Sequence, residues 1–270
     1  MQAWWLASAM VFITQLKFSK MKFAISPCPN DTFSFYALIN KVIASDFEFV
    51  FDDIENLNLS AEKKEYPITK LSFAQFLNVK DHYELLNTGS ALGIGTGPVL
   101  VGKSENIDKS KPIAVPGLNT TASLLLKYYL GKDVILAPMY FRDVAERVAS
   151  GEFQAGVLIH EGRFVYESQG LKLLADLGDY WTANSGMPVP LGCICIRKDF
   201  IEKKSQVEEL IRQSLKIAFD NPEATYPYVA SMAQHLEGDV LQKHIYAFVN
   251  EFSFDISHLR AKLLEELAKC

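Results

Sequence analysis

The amino-acid sequence predicts an α/β protein built as two lobes with mixed sheets. Short apolar runs of strand length alternate with segments whose apolar residues recur at the helical period, a pattern typical of sheets covered by helices. With 270 residues, 49% of them hydrophobic, the chain reaches the size at which a single core stops growing. No Pro-rich or Ser-rich linker divides it. We therefore expect two lobes joined by two strand crossovers, as in proteins that close around a ligand at a hinge.

Strand signals occur at intervals along the chain, and helix signals fall between most of them. The predicted strands are residues 22–26, 47–52, 83–86, 98–102, 113–115, 134–137, 155–160, 171–176 and 193–197. Gly131 and Gly151 stand where a left-handed residue ends a helix. Beyond the last strand, helical segments continue almost without interruption from about residue 202 to residue 268.

The two crossings are predicted where turn-forming residues interrupt the strand pattern. Residues 102–111 form the first crossing and residues 188–192 the second. One lobe would then comprise residues 21–102 together with 192–270, and the other residues 103–191.

Residues 1–20 are predicted to be an N-terminal extension. Their apolar stretch, residues 4–13, follows no Lys or Arg and is much shorter than the ~20 apolar residues of a membrane span. Met21 opens directly into the first predicted strand and is the expected natural start. We therefore expect a cytoplasmic protein with no membrane partner, and export by a signal peptide is the alternative.

Composition excludes several classes of function. Lys and Arg total 27 against 32 Asp and Glu, a net charge of −5, and no basic run could follow a nucleic-acid backbone. The glycines between residues 89 and 102 fit neither the dinucleotide nor the P-loop spacing. The four cysteines form no CxxC pair, so we expect no metal site and no disulfide framework.

Three segments share one design, in which a strand ends in small or hydroxyl-bearing residues where a helix starts. They are residues 26–32, 70–74 and 116–123. Unpaired backbone N–H groups at a helix start bind anions, and Ser or Thr hydroxyls add further donors. One such segment is typical of a capped helix, but three in one α/β chain favour strand ends that converge on a ligand. We expect that ligand to be a small-molecule carboxylate.

His160 is the histidine with the best position for acid–base chemistry. It ends the apolar segment 155–160 beside the turn-forming residues 161–163, whereas the other four histidines lie in polar turns or in the helical C-terminal part. A side chain whose ordinary pKa is about 6.5 suits proton transfer near neutral pH. A packing role for His160 stays open at this point.

Several motifs together resemble the 1,4-dihydroxy-6-naphthoate synthase family of menaquinone biosynthesis by the futalosine route. They are SPCPNDTF at 26–33, TKLSF at 69–73, the glycine-rich run at 91–98, VPG at 115–117 with TTA at 120–122, and IHEGRF at 159–164. The resemblance runs in order from Met21 to about residue 254. Its most specific part is the SPCPNDTF segment, which helps to distinguish the family from related chorismate dehydratases.

The resemblance implies a periplasmic-binding-protein-like fold in a cytoplasmic lyase without metal or organic cofactor. It implies cyclic dehypoxanthinyl futalosine as the substrate and 1,4-dihydroxy-6-naphthoate as the product, with His160 as the general base. The family's ligand contacts fall here on Lys70, Leu71 and Ser72 and on Thr121 and Ala122.

Two rival interpretations stay open from the sequence. A solute-binding protein of a transporter shares the implied fold and would bind a carboxylate without turnover, but it requires export. A sibling lyase would act on a different ring carboxylate.

Overall fold

The computed structural model describes residues 20–160, 162–233 and 238–270. The strands in this part of the chain are β1 (Met21–Ile25), β2 (Phe47–Phe51), β3 (Ile68–Ser72), β4 (Tyr83–Leu85), β5 (Ala91–Gly93), β6 (Val99–Gly102), β7 (Ile113–Val115), β8 (Leu136–Pro138), β9 (Ala155–Leu158), β10 (Lys172–Asp176) and β11 (Val189–Arg197).

The helices connect these strands and then cover the first sheet. They are α1 (Pro29–Ser34), α2 (Tyr36–Ile39), α3 (Ile54–Glu62), α4 (Phe73–Val79), α5 (Thr121–Leu130), α6 (Asp143–Ser150), α7 (Gly162–Val165), α8 (Leu177–Ser185), α9 (Lys204–Asp220), α10 (Pro222–Met232), α11 (Gly238–Phe248), α12 (Glu251–Phe254) and α13 (Arg260–Ala268). Short 3₁₀ segments occupy Tyr166–Gln169 and Lys198–Lys203. No helix in the described ranges is long and apolar enough to cross a membrane.

The strands form two mixed sheets, which confirms the predicted fold class. The first sheet has the order β2-β1-β3-β11-β4, with β5 pairing on β11, and the second has the order β10-β6-β9-β7-β8. In the first sheet β1 is parallel to β2 and β3, whereas β11 is antiparallel to β3, β4 and β5. The space between the sheets is therefore surrounded by the carboxyl ends of β1 and β3 and by the chain after β9.

The chain passes from one sheet to the other before the positions that were predicted as lobe boundaries. The first crossing was expected at residues 102–111, yet β6 already pairs with β9 and β10 in the second sheet. The second crossing was expected at residues 188–192, yet β11 begins at Val189 in the first sheet. The reason is that the apolar residues of β6 are buried between two neighbouring strands, while the polar stretch that follows is a surface connection. The polar residues 102–111 form a loop between two strands of the second sheet, and they do not connect the two lobes.

Two strands of the first sheet lie outside the predicted set, and one predicted strand is shorter. The structure adds β3 and β5, and β9 ends at Leu158 instead of residue 160. His160 consequently lies in the connection after the strand.

One apolar cluster is continuous from the first sheet to the second. Leu71 and Leu92 contribute from the first sheet, Leu100 and Val115 from the second, and Trp181 of α8 lies fully buried in the same cluster. Because apolar side chains pack without a gap across the two sheets, the structure represents the lobes in contact.

Candidate active site

A narrow cleft of about 80 Å³ lies between the two sheets. Its lining comes from both sheets and from α11: Asn30, Ile54, Lys70, Ser72, Ala91, Gly97, Pro98, Thr120, Thr121, Ala122, Ile159, His160, Leu191, Gly192 and Phe248. Five of the six predicted site residues are in this lining, and Leu71 is the exception. Sequence positions that are far apart thus meet at one cleft.

Ser72 ends β3 and precedes α4 at the floor of the cleft. Asn58 of α3 fixes it with two hydrogen bonds: the Asn58 amide donates to Ser72 Oγ over 3.1 Å, and the Ser72 backbone N–H donates to Asn58 Oδ1 over 2.9 Å. Because the hydroxyl already accepts a hydrogen bond from Asn58, its own O–H is free to donate to a ligand.

Thr121 and Ala122 form the first turn of α5, which also lines the cleft. The Thr120 hydroxyl caps this helix by accepting the Ser123 N–H over 3.2 Å. Thr121 Oγ1 donates to the Leu191 carbonyl over 3.2 Å and accepts the Ala74 N–H over 3.3 Å, so it links α5 to the first sheet. A ligand carboxylate in the cleft would face the positive end of the α5 dipole.

Lys70 carries a buried charge that is paired within the protein. Its Nζ lies 2.5 Å from Asp31 Oδ1, and the two side chains are only 7% and 4% exposed. Asp31 also accepts hydrogen bonds from the Ser26 backbone N–H, the Ser26 hydroxyl and the Asn30 amide. The Lys70 stem lies over Gly192, where an added Cβ would approach Lys70 Cε to 2.9 Å. Lys70 therefore places an ammonium group at the cleft, and the paired Asp31 carboxylate holds it there.

Leu71, which was predicted as a ligand contact, has its side chain in the main apolar cluster. Successive side chains of a strand point to opposite faces, so Lys70 and Ser72 face the cleft while Leu71 faces away. Leu71 is fully buried in the main apolar cluster, and its carbonyl accepts the thiol of Cys193 over 3.6 Å. Its side chain serves packing.

His160 lies in the connection after β9, with an unusual backbone conformation. Its φ of 52° is in the left-handed region, which non-glycine residues rarely adopt and which is often found at functional sites. The ring makes an edge contact with Phe141 at 5.0 Å and stacks on His244 at 6.1 Å. The Cys28 sulfur lies 3.7 Å from both Nδ1 and Nε2.

Arg163 ties the segment after His160 to the cleft wall. Its guanidinium donates to the Gly97 carbonyl over 2.5 Å and to Asp176 over 3.1 Å, and the ion pair is largely buried. Since Gly97 lines the cleft, this contact keeps the turn that carries His160 close to it. The arginine of the IHEGRF motif thus has a structural task next to the histidine.

Cys28 is a titratable group of the site to which the sequence analysis assigned no role. It is half-buried at the start of α1. Burial opposes ionisation of the thiol, but the adjacent His160 and the Lys70 ammonium outweigh that effect, and the pKa of Cys28 falls below its ordinary value. A thiolate beside an imidazole ring is therefore accessible in this site.

His244 is the second group that the sequence analysis missed. It is fully buried on α11, in edge contact with Phe248 at 4.9 Å. Burial, with the nearby charges of His160 and Lys70, lowers the pKa of His244 to about 3, so the ring is neutral. A signal was present, because His244 lies three residues after the buried Leu241 and four residues before the buried Phe248, on one apolar face of the helix.

A second cavity meets the cleft at His160 and Ile54. Its wall is more polar and includes Ser26, Cys28, Asp52, Asp53, Tyr140, Phe141 and Arg142. His160 and Cys28 are thus reachable from this side as well. Among the described residues, no group of three or more His, Cys, Asp or Glu side chains is arranged to hold a metal ion.

Two mixed sheets around a ligand cleft define a protein with the periplasmic-binding-protein-like fold, and solved structures agree. The alkanesulfonate-binding protein SsuA from Xanthomonas axonopodis pv. citri, bound to MOPS, superposes with a TM-score of 0.68 at 12% identity over 93% of this chain and 92% of its own. A crystal structure of a protein from Archaeoglobus fulgidus superposes with a TM-score of 0.86 at 33% identity over 92% of this chain and 96% of its own.

Sequence comparison identifies the family. The menaquinone biosynthesis family matches residues 21–270. A 1,4-dihydroxy-6-naphthoate synthase from Thermus thermophilus is 40% identical over 240 residues, which cover 87% of this chain and 88% of the relative. One from Streptomyces coelicolor is 36% identical over 245 residues, 87% of each chain. The chain belongs to the menaquinone biosynthesis family, which confirms the resemblance stated from its motifs.

Proposed function

We propose that this protein is a carbon–carbon lyase that converts cyclic dehypoxanthinyl futalosine to 1,4-dihydroxy-6-naphthoate, with His160 as the general base. The observation that carries the proposal is the meeting of His160, Ser72 and the start of α5 at one cleft. The two relatives named 1,4-dihydroxy-6-naphthoate synthase support the proposed product.

The cleft suits an aromatic carboxylate. The Ser72 hydroxyl and the N–H groups at the start of α5 would hold the carboxylate, assisted by the positive charge of Lys70. Ile54, Pro98, Ile159, Leu191 and Phe248 give the cleft an apolar wall against which a flat ring system can pack. Leu71 is left out of this contact set because its side chain faces the core.

His160 would remove a proton from the hydroxylated ring and so start the cleavage of the carbon–carbon bond. The cleavage ends in an aromatic naphthalene, and aromatisation supplies the driving force. The protein then has to position the substrate, accept the proton and exclude water as the lobes close. On this proposal the reaction needs no metal or organic cofactor and takes place in the cytoplasm.

A single-turnover assay with cyclic dehypoxanthinyl futalosine tests the proposal. Naphthoate formation is followed by absorbance and substrate binding by calorimetry, for wild type, His160→Ala and the control His82→Ala, whose ring is exposed. We expect His160→Ala to bind substrate but to lose at least ~100-fold in rate, the scale of a lost general base, while His82→Ala stays at the wild-type rate.

The other outcomes are equally informative. Binding without turnover by the wild type would contradict the lyase function and favour a solute-binding protein. A normal rate for His160→Ala would exclude His160 as the base. Turnover of a different ring carboxylate alone would favour a sibling lyase.

A further inference from the structure

The second cavity is larger and more polar than the cleft, and His160 belongs to the walls of both. Its volume is about 270 Å³, against about 80 Å³ for the cleft, and the two spaces share Ile54 and His160. A base at the junction of two cavities is close to the bond that joins the two parts of a ligand extending through both. A substrate whose ring system fills the apolar cleft would therefore extend past His160 into the second cavity.

The first sheet contributes two carboxylates to the wall of the second cavity. Asp52 and Asp53 follow β2, and both are half-buried. Asp52 Oδ1 accepts the Asp53 backbone N–H and the Asn56 amide, each over 2.8 Å. Asp53 Oδ1 accepts the backbone N–H groups of Glu55 over 2.9 Å and of Asn56 over 3.1 Å. These bonds hold both side chains at the start of α3, and the second oxygen of each carboxylate can accept further hydrogen bonds.

The second sheet contributes hydrogen-bond donors and aromatic rings to the same wall. Tyr140, Phe141 and Arg142 follow β8. The rings of Tyr140 and Phe141 meet edge to face at 4.8 Å, and the Arg142 guanidinium lies 5.5 Å from the centre of the Phe141 ring. A phenol can donate and accept a hydrogen bond, and a guanidinium has five N–H donors. Donors from one lobe and acceptors from the other thus line one space.

We propose that the second cavity is a subsite for an uncharged fragment of the substrate that carries several hydroxyl groups, the fragment that is released when the naphthoate forms. This inference rests on the proposed function, because cleavage of a carbon–carbon bond produces a second fragment. A hydroxyl group both donates and accepts, so such a fragment satisfies the carboxylates as well as the phenol and the guanidinium. An apolar fragment would remove these polar groups from water without replacing their hydrogen bonds, and an anionic fragment would face Asp52 and Asp53.

Two ligands separate the second cavity from the cleft. Cyclic dehypoxanthinyl futalosine contains the fragment, and 1,4-dihydroxy-6-naphthoate does not. Arg142→Met keeps the length of the side chain but removes its donors, and Tyr140→Phe removes one hydroxyl. Affinities are measured by calorimetry in the His160→Ala background, so that the substrate is not consumed.

We expect the affinity for the futalosine derivative to fall about 10-fold in Arg142→Met and about 3- to 10-fold in Tyr140→Phe, as one or two hydrogen bonds are lost. The affinity for the naphthoate should change less than about twofold in both variants, because neither residue lines the cleft. Arg147→Met, on the exposed surface of α6, is the matched control. Ser72→Ala should weaken both ligands.

Protection of Cys28 from alkylation tests the same inference without a change in the second cavity's own polar residues. Cys28 lines the second cavity and is not part of the cleft lining. In the His160→Ala background, the futalosine derivative at about ten times its Kd should slow alkylation by iodoacetamide about 10-fold, since only unliganded protein reacts. The naphthoate at the same saturation should leave the rate nearly unchanged.

Equal losses of affinity for the two ligands, or no loss for either, would overturn the inference, as would equal protection of Cys28 by both. Absence of naphthoate formation by the wild type would contradict the proposed function alone. The comparison of the two ligands requires binding and not turnover, so the two failures are distinguishable.

Discussion

Cys28 and His160 are in contact although they follow strands of different sheets. Cys28 stands at the start of α1, and His160 follows β9. Their contact gives the thiol a pKa below its ordinary value, although burial acts in the opposite direction. Below that pKa the thiol is protonated and unreactive, and above it the thiolate is present. Cys28 should therefore be nucleophilic at a pH where an ordinary cysteine is largely protonated.

We expect iodoacetamide to alkylate Cys28 well before Cys270 at about pH 7.5. Cys270 is a matched internal control, because it is also half-buried but burial raises its pKa to about 11. His160→Ala should slow alkylation of Cys28 and leave Cys270 unaffected. A time course by peptide mass spectrometry measures both sites. Equal rates at Cys28 and Cys270 would contradict the lowered pKa.

Residues that line the cleft could be predicted from the sequence where the signal at a strand end is local, whereas Cys28 and His244 have partners that are distant in sequence. Ser72, Thr121 and His160 each end or follow a strand, and all three line the cleft. Leu71 was assigned to the ligand although strand alternation turns its side chain to the core. Cys28 and His244 acquire their properties from residues more than 80 positions away, and no local pattern encodes such a contact.

At the scale of secondary structure, β3 shows how a distant contact changes a local preference. Its sequence, ITKLS, contains a lysine in the middle and does not have the apolar composition of an interior strand, yet all five residues are buried. The Lys70 charge is tolerated because Asp31 of α1 pairs with it. The sequence indicated the positions of β6 and β9, although β9 is two residues shorter than predicted, since their residues are small or apolar and need no such partner.

We expect the buried His244 of α11 to make the free energy of unfolding depend on pH. In the unfolded chain His244 has a pKa of about 6.5, and in the folded protein it is lowered to about 3. Between these two pKa values the unfolded state binds a proton that the folded state does not bind. The contribution of the neutral His244 to stability is therefore complete above about pH 6.5 and is lost as the pH falls toward 3. The loss has a limiting slope of about 1.4 kcal/mol per pH unit.

Urea denaturation between about pH 7 and pH 4.5 measures this effect. The free energy of unfolding should fall more steeply with decreasing pH in wild type than in His244→Phe, which has no titrating group at the site. At pH 7 the variant should be at least as stable as wild type, because it removes two unpartnered nitrogens. Parallel curves would show that folding does not lower the pKa of His244.

At the scale of the whole molecule, a polar network on α3 joins the two lobes beside the cleft. The Asn58 amide donates to the Asn119 carbonyl over 3.3 Å in addition to its bonds with Ser72. Glu55, one turn earlier, accepts the Asn119 backbone N–H over 3.2 Å. Asn119 lies in the connection before α5, so the residue that orients Ser72 also contacts the opposite lobe. Asn58 thus connects Ser72 at the cleft with the segment before α5.

We expect Asn58→Ala to weaken binding of the carboxylate substrate by about 10- to 100-fold, since one substitution releases both Ser72 and the Asn119 contact. Calorimetry measures the affinity, and Asn56→Ala is the control because Asn56 is exposed on the same helix. Ser72→Ala and the double variant complete a thermodynamic cycle. Additive losses from Asn58 and Ser72 would mean that the two residues act independently.

The position of β11 also constrains how the protein is made. β11 pairs with β3 on one side and with β4 and β5 on the other, although the whole second sheet separates it from them along the chain. The N-terminal half of the chain is synthesised first. The edges of β3 and β4 that pair with β11 therefore stay unpaired until residue 197 has left the ribosome. Such edges are templates for pairing with other chains. The second sheet is contiguous in sequence and can form during this interval. Completion of the first sheet is therefore a late step of biosynthesis, before which the unpaired edges are exposed to aggregation.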